Sequence, residues 1–285
     1  MVKDLFLSSR PLSWVNTAFP FAAAYYLPAG VIDLTFVLGT IFFLVPYNLA
    51  MYGINDVFDY ESDLRNPRKG GVEGALLNPR MHRPTLIAAA VTTLPFLGYL
   101  VIIGNPLSWL VLFISMFAVV AYSAKGLRFK ERPFLDSLTS STHFVSPAIY
   151  ALVLAGAVFT LELWAVLAAF FLWGIASHAF GAVQDVLADR AAGISSIGTV
   201  IGARATTRFA VISYLAGGVV LLFSSWPGPL AAILVLPYAA MCAPFWNITD
   251  ETAESANRGW RNFLALNFVT GFFVTMLLIW WYLIR

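Results

Sequence analysis

Apolar runs long enough to cross a bilayer, about 17 to 25 residues each, alternate along this chain with short polar connections. Their pattern predicts helices near 12–29, 32–54, 84–103, 106–124, 137–158, 161–184, 205–224, 228–246 and 262–284, an all-α membrane protein with nine spans. The connections after the odd-numbered helices are short and carry no Lys or Arg, whereas those after the even-numbered helices are polar. Sixteen of the seventeen basic residues fall before the first helix or around the even-numbered connections, and Arg285 alone falls on the other side. Positive charge stays in the cytoplasm, so the polar loops and the amino terminus are expected inside the cell membrane and the carboxy terminus outside. The opening stretch MVKDLFLSSRPLSW lacks the long apolar core and small-residue cleavage site of a secretory signal, so the first apolar run is expected to remain as a helix.

Composition agrees with that layout. Sixty per cent of the 285 residues are hydrophobic and 11% charged, and a mean hydropathy of +0.79 excludes an ordinary soluble domain. A net charge of +2 with no long Lys/Arg tract excludes a nucleic-acid partner. The single cysteine, Cys242, permits no internal disulfide and no multi-cysteine metal site, and reads as apolar filling.

Against this background the segment NDVFDYESDLRNPRKGG, Asn55 to Gly71, concentrates acids and bases directly after an apolar run. On a continuous helix turning about 100° per residue, Asp56, Asp59 and Asp63 fall at about 0°, 300° and 340°, one narrow face bordered by Asn55, with Glu61 pointing away. A second pair, Asp185 and Asp189, is also one turn apart, on the same predicted side of the membrane. A carboxylate in a membrane interior costs about 2.5 to 3.5 kcal/mol, and like charges repel further. Such a group is stabilised either by Arg and Lys or by hard divalent cations. Short Asp side chains with an Asn oxygen suit Mg²⁺, which takes one or two protein carboxylates together with phosphate oxygens.

The stretch YSAKGLRFKERPFLDS supplies Tyr122, Lys125, Arg128 and Lys130. Its bases either anchor a cytoplasmic loop or hold a diphosphate, and Arg10, before the first helix, has the same two readings. Arg65, Arg68 and Lys69 balance the neighbouring acids, and Arg68 and Lys69 are further diphosphate candidates. His178 lies two turns before Asp185, His143 lies in the polar stretch TSSTHFVSP, and His82 is expected to be exposed; none has metal-ligand spacing to a second His or Cys. There is no GxxxxGK[ST] loop, HExxH, GxSxG or dinucleotide fingerprint. A transporter would place acids across the membrane midplane, whereas these acids lie at cytoplasmic helix ends.

NDVFDYESD resembles the NDxxDxxxD signature of the UbiA superfamily of intramembrane prenyltransferases, and DVLADRAAGISSIGTVIGAR resembles that superfamily's second aspartate motif. The resemblance covers most of the chain. It implies a single domain over 1–285, helices around a central cavity that opens to lipid, and Mg²⁺ as cofactor. It further implies Asn55, Asp59 and Asp63 as the first magnesium-diphosphate site, with Asp56 as an additional candidate, and Asp185 and Asp189 as the second. Arg10, Tyr122, Lys125, Arg128 and Lys130 then lie where diphosphate-binding groups are expected. Leu187 stands where many members carry another acid. Within the superfamily, SSRPLSWVNTAFPF, LRFKERPFLDSLTSSTHF and FWNITD are similar to the lycopene elongases of bacterial C50 carotenoid synthesis. That similarity implies dimethylallyl diphosphate as donor, lycopene or another lipid-soluble acceptor, and carotenoid-pathway enzymes as partners. Spacing and composition leave lycopene and an aromatic quinone precursor equally open as acceptors.

Overall fold

A computed structural model describes residues 1–64 and 76–285, with Ser62 and Asp63 described by backbone alone. The helices are α1 (Val2–Ser8), α2 (Val15–Ala29), α3 (Leu34–Leu44), α4 (Pro46–Phe58), α5 (Tyr60–Asp63), α6 (His82–Ile102) and α7 (Pro106–Ser123). They continue as α8 (Leu135–Leu154), α9 (Leu161–Val183), α10 (Val186–Ala192), α11 (Ile197–Leu221), α12 (Leu236–Cys242), α13 (Asn257–Trp260) and α14 (Phe263–Leu283). Among the described residues there is no strand.

Local chemistry marks many of the boundaries. Asp33 accepts the Phe36 N–H at 2.8 Å to open α3. Asn105 caps α7 in a reciprocal box with Ser108, with Pro106 at the first helical position. Gly30, at φ +68°, closes α2 in the left-handed conformation that glycine adopts without a Cβ clash.

Six helical stretches of the described residues are long and apolar enough to cross a membrane: Leu34–Phe58, Pro79–Ile102, Pro106–Ser123, Leu161–Val183, Gly228–Phe245 and Phe263–Leu283. The remaining expected spans fall on α2, α8 and α11, which are helical but differ in character. α2 has 15 residues and two internal prolines. α8 is interrupted by Ser, Thr and His, and α11 carries Arg204 and Arg208 just after a break at Gly202.

The chain forms two compact units. The first comprises Met1–Phe129 and Thr142–Ala157. Its core is aromatic: Phe21, Phe42, Phe43, Tyr47 and Tyr150 are fully buried, and the Phe21 and Phe43 rings lie 5.0 Å apart. Gly39 admits this packing, because a Cβ there would lie 2.1 Å from the Phe21 ring. Several buried polar groups pair with one another, as apolar surroundings favour. Ser146 donates to Ser115 at 2.8 Å and Ser115 to the Tyr47 hydroxyl at 3.1 Å, while Asn48 donates to Thr17 at 2.7 Å.

The second unit comprises Lys130–Ser141 and Val158–Arg285. α9 packs along α11, with Ser177 and Tyr214 hydroxyls 2.9 Å apart and Tyr214 stacked on Tyr238 at 5.2 Å. α14 buries none of its residues fully and exposes Phe268, Phe272, Phe273 and Met276. An apolar helix of 21 residues with such a surface suits hydrocarbon rather than water.

Candidate active site

The first acidic motif does not lie on one continuous helix. α4 ends at Phe58, Asp59 is its C-cap at φ −100° and ψ −2°, and α5 starts afresh at Tyr60. The unbroken helix assumed for Asp56, Asp59 and Asp63 is therefore corrected. The backbone bond across the last turn of α4 is kept, with the Asp59 N–H donating to the Asn55 carbonyl at 2.9 Å, and the Asn55 side-chain amide donates to the Asp59 carboxylate as well. The same amide nitrogen donates to Ser123 Oγ at 2.9 Å, joining the end of α4 to the end of α7. With its nitrogen turned to these two acceptors, the Asn55 oxygen is the end that can face a cation.

Asp56 turns inward. It is 1% exposed, and its two oxygens accept from Ser8 Oγ at 2.8 Å and Arg10 Nη2 at 2.9 Å. The Arg10 guanidinium also lies over the Tyr52 ring, 4.4 Å from its centroid. Asp59, 4% exposed, has Arg128 Nη2 at 3.8 Å, and Arg128 Nη1 donates to the Phe58 carbonyl at 3.4 Å. The guanidinium thus sits at the negative end of α4. Both arginines have left-handed backbones, φ +50° at Arg10 and φ +41° at Arg128, an uncommon conformation for residues with a Cβ.

Other expected groups sit nearby in the first unit or beyond the described residues. Tyr122 meets His143 edge to face at 5.3 Å, and Lys125 is exposed. His82 is half-buried rather than exposed, with its ring 5.0 Å from Tyr60. The Asp63 side chain, Arg65, Arg68 and Lys69 lie outside the described residues.

The second acidic motif and Lys130 belong to the second unit. α9 stops at Val183, so His178 and Asp185 do not share a helix; Asp185 is the N-cap of α10, and Asp189 lies one turn into it. α10 closes on Gly193 at φ +71°, with the Ile194 N–H returning to the Asp189 carbonyl at 2.8 Å. That tight turn brings Ser196 back beneath the motif, where its Oγ donates to Asp189 Oδ2 at 3.4 Å. Ser196 also caps α11 together with Thr199.

A clamp holds the loop's far side. Arg190 donates to the Thr199 carbonyl at 3.0 Å and to Asp250 Oδ2 at 2.6 Å, and Asp250 Oδ1 accepts the Ala203 N–H at 2.7 Å. That backbone hydrogen bond, helped by Arg190, holds the Asp250 carboxyl below its ordinary value against a smaller opposing effect of burial. A cleft of roughly 700 Å³ in this unit, lined by Met241, Phe245, Asn247, Ile248, Arg258 and Asn262, contains none of the motif acids.

Sequence reading missed Ser8, Ser123, Asp136, Ser196 and the Arg190–Asp250 clamp. Of these only Ser196 had a local signal, the Ser-x-x-Thr spacing of a helix cap.

The oxygen donors of the two motifs, the Asn55 oxygen and the carboxylates of Asp59, Asp185 and Asp189, are hard oxygens. No three His, Cys, Asp or Glu side chains among the described residues group closely enough to form a cage. A donor set of few oxygens per motif fits Mg²⁺, which completes its shell with water and phosphate oxygens.

The chain matches the UbiA prenyltransferase family over residues 17–268. It is 61% identical to the C(50) beta-cyclic carotenoids biosynthesis protein LbtBC of Dietzia sp. (strain CQ4), over 98% of this chain but only 65% of that longer protein. It is 56% identical to the lycopene elongase/hydratase of Corynebacterium glutamicum, over 98% of this chain and 97% of that one. Among solved structures, a UbiA homolog from Archaeoglobus fulgidus bound to GPP and Mg²⁺ superposes with a TM-score of 0.70 at 18% identity, covering 94% of this chain and 99% of that one. The form of that homolog bound to DMAPP and Mg²⁺ gives 0.68 at 19%, covering 94% and 98%. At such identity the likeness establishes the all-helical fold, while the family match rests on the sequence. The chain belongs to the UbiA prenyltransferase family.

Proposed function

We propose that this prenyltransferase uses Mg²⁺ to transfer dimethylallyl groups from dimethylallyl diphosphate to the ends of lycopene. The observation that carries the reading is the near-full-length relationship to the lycopene elongase/hydratase of Corynebacterium glutamicum, 56% identical over 98% and 97% of the two chains.

Asn55, Asp59 and Asp63 in the first motif and Asp185 and Asp189 in the second would hold Mg²⁺. Bound there, Mg²⁺ would supply positive charge to offset that of the departing diphosphate. Arg128 serves the same charge from its position beside Asp59, with Arg10, Tyr122, Lys125, Lys130, Arg68 and Lys69 contributing further contacts to the diphosphate. Asp56 acts from behind, fixing Arg10 rather than ligating metal. The terminal double bond of lycopene attacks the allylic cation, and the new cation on the acceptor then loses a proton or takes up water. Apolar walls keep bulk water from the allylic cation.

The chain would work as one domain of nine spans in the cell membrane, with its amino terminus and both acidic motifs on the cytoplasmic side. The distribution of Lys and Arg supports this orientation. Expression in a lycopene-producing host, followed by mass analysis of the carotenoids, tests the function. Products enlarged by one or two five-carbon units, with or without the elements of water, are expected. Unchanged lycopene in membranes that prenylate an aromatic acceptor would overturn it.

A further inference from the structure

Asp136 is fully buried, at 0% exposure, and lies in the first turn of α8 within the second unit. A carboxylate so placed is stable only when hydrogen bonds replace its lost hydration. Both oxygens are supplied. Oδ2 accepts the Ile197 N–H at 2.7 Å, one of the first-turn donors of α11 that the helix itself cannot satisfy. Oδ1 accepts the Ser137 N–H at 2.6 Å and the Ser137 hydroxyl at 3.2 Å. The Ser137 hydroxyl lies in turn 3.1 Å from His178 Nδ1.

Ile197 follows Ser196, whose hydroxyl reaches Asp189 at 3.4 Å. Asp136 therefore fixes the peptide that carries the group touching the second motif. The surroundings leave this peptide little freedom, since Ile197 is 0% and Ser196 4% exposed. A negative charge at the start of α11 is also favoured by the helix dipole.

We propose that Asp136 is a positioning residue for the second magnesium-diphosphate motif, holding Asp189 in its metal-binding orientation through Ile197 and Ser196. The inference rests on the reading of Asp189 as a metal ligand. Residues that orient a ligand in this way typically contribute about 10- to 100-fold to metal affinity. Asparagine keeps the shape of Asp136 but presents one oxygen where two are used, so either the Ile197 or the Ser137 N–H loses its acceptor.

The test is equilibrium binding of Mn²⁺ with inorganic diphosphate to the purified full-length protein in detergent, followed by the spin resonance of free Mn²⁺, alongside Mg²⁺ half-saturation of turnover. Asp136→Asn is expected to weaken Mn²⁺ binding about 10-fold or more, and Ser196→Ala, which cuts the link at its other end, to do the same. Ser137→Ala keeps the 2.6 Å backbone donor to Asp136 and removes the hydroxyl, with its longer 3.2 Å contact to Asp136 and its branch to His178, so it should stay within about twofold of the parent. Thermal transitions identify any variant that has lost its fold, and Ser196→Ala then carries the comparison. Unchanged Mn²⁺ affinity in folded Asp136→Asn and Ser196→Ala, with loss in Asp189→Ala, would overturn the positioning role alone. Unchanged affinity in Asp189→Ala as well would overturn the metal-site reading beneath it.

Discussion

Arg128 Nη2 lies 3.8 Å from Asp59 Oδ1, and the same guanidinium donates to the carbonyl that ends α4. The arrangement gives Arg128 a dual standing: it offsets a carboxylate that is 4% exposed, and it presents positive charge at the helix end proposed to bind metal. Its left-handed backbone, φ +41°, separates side-chain from backbone effects. Arg128→Gly suits that backbone better than Ala does, yet lacks the guanidinium. If the charge is what matters, both variants should raise the KM for dimethylallyl diphosphate about tenfold, the equivalent of about 1.4 kcal/mol, which steady-state kinetics on membranes will show. A normal KM in Arg128→Gly would assign the residue to backbone geometry instead.

The two acidic motifs should be indispensable separately. Asp59→Asn and Asp185→Asn keep side-chain size and remove the negative charge of a proposed metal ligand. As the proposed metal ligands, each is expected to lower turnover on the order of 100-fold or more, and a retained thermal transition in detergent separates that loss from loss of the fold. Raising Mg²⁺ should restore part of the activity if the metal is lost by weakened affinity. Near-parental turnover in both variants would sink the assignment.

Asp56 should behave differently from these. Its oxygens are engaged by Ser8 and Arg10, so Asp56→Ala takes the carboxylate partner from Arg10 in a largely buried pair. The expected loss is about 3 kcal/mol of stability, read as a lowered thermal midpoint in detergent, with Mg²⁺ half-saturation of the surviving activity close to that of the parent. A Mg²⁺ requirement shifted as far as in Asp59→Asn would return Asp56 to the metal ligands.

These contrasts show which parts of the site were legible in the sequence. Apolar run length and the clustering of charge mark the helical class and both acidic motifs, because bilayer thickness and desolvation act on composition alone. Side-chain orientation was less accessible. Placing Asp56, Asp59 and Asp63 on one face assumed an unbroken helix, and the Asn55–Asp59 hydrogen bond accompanies a break at that very point. Setting His178 two helical turns before Asp185 failed for the same reason, since α9 ends at Val183. Asp136 and Ser8 escaped notice because their partners are 61 and 48 residues away in sequence, and only the folded chain brings them together.

Gly202 is the backbone pivot behind the second motif. At φ +79° and ψ 162° it interrupts α11, in a region that only glycine adopts readily. A Cβ there would also approach Asp250 Oδ1 to 3.2 Å. Gly202→Ala is expected to cost about 1 to 3 kcal/mol and to loosen the Arg190–Asp250 clamp. Limited proteolysis between α10 and α11, compared with the parent, should report that loosening as faster cleavage. Equal cleavage rates and an equal thermal midpoint would show that the pivot tolerates a side chain.

The clamp itself carries a pH signature. Asp250 titrates below its ordinary value of 3.8 because it accepts the Ala203 N–H, with Arg190 assisting. A carboxyl whose folded value is depressed contributes stability above the unfolded value and loses it as pH falls through the folded value. The pair is partly exposed, with Asp250 at 30% and Arg190 at 42%, so solvent screening limits the contribution to about 1 kcal/mol. Asp250→Asn should therefore lower the thermal midpoint at neutral pH, and the gap between parent and variant should narrow only below about pH 4. Midpoints measured in detergent from neutral pH down to that range decide the point. A gap that closes near pH 6 would implicate a histidine instead, and a gap that persists at the acid end would show that amide geometry rather than charge sets the strength of the clamp.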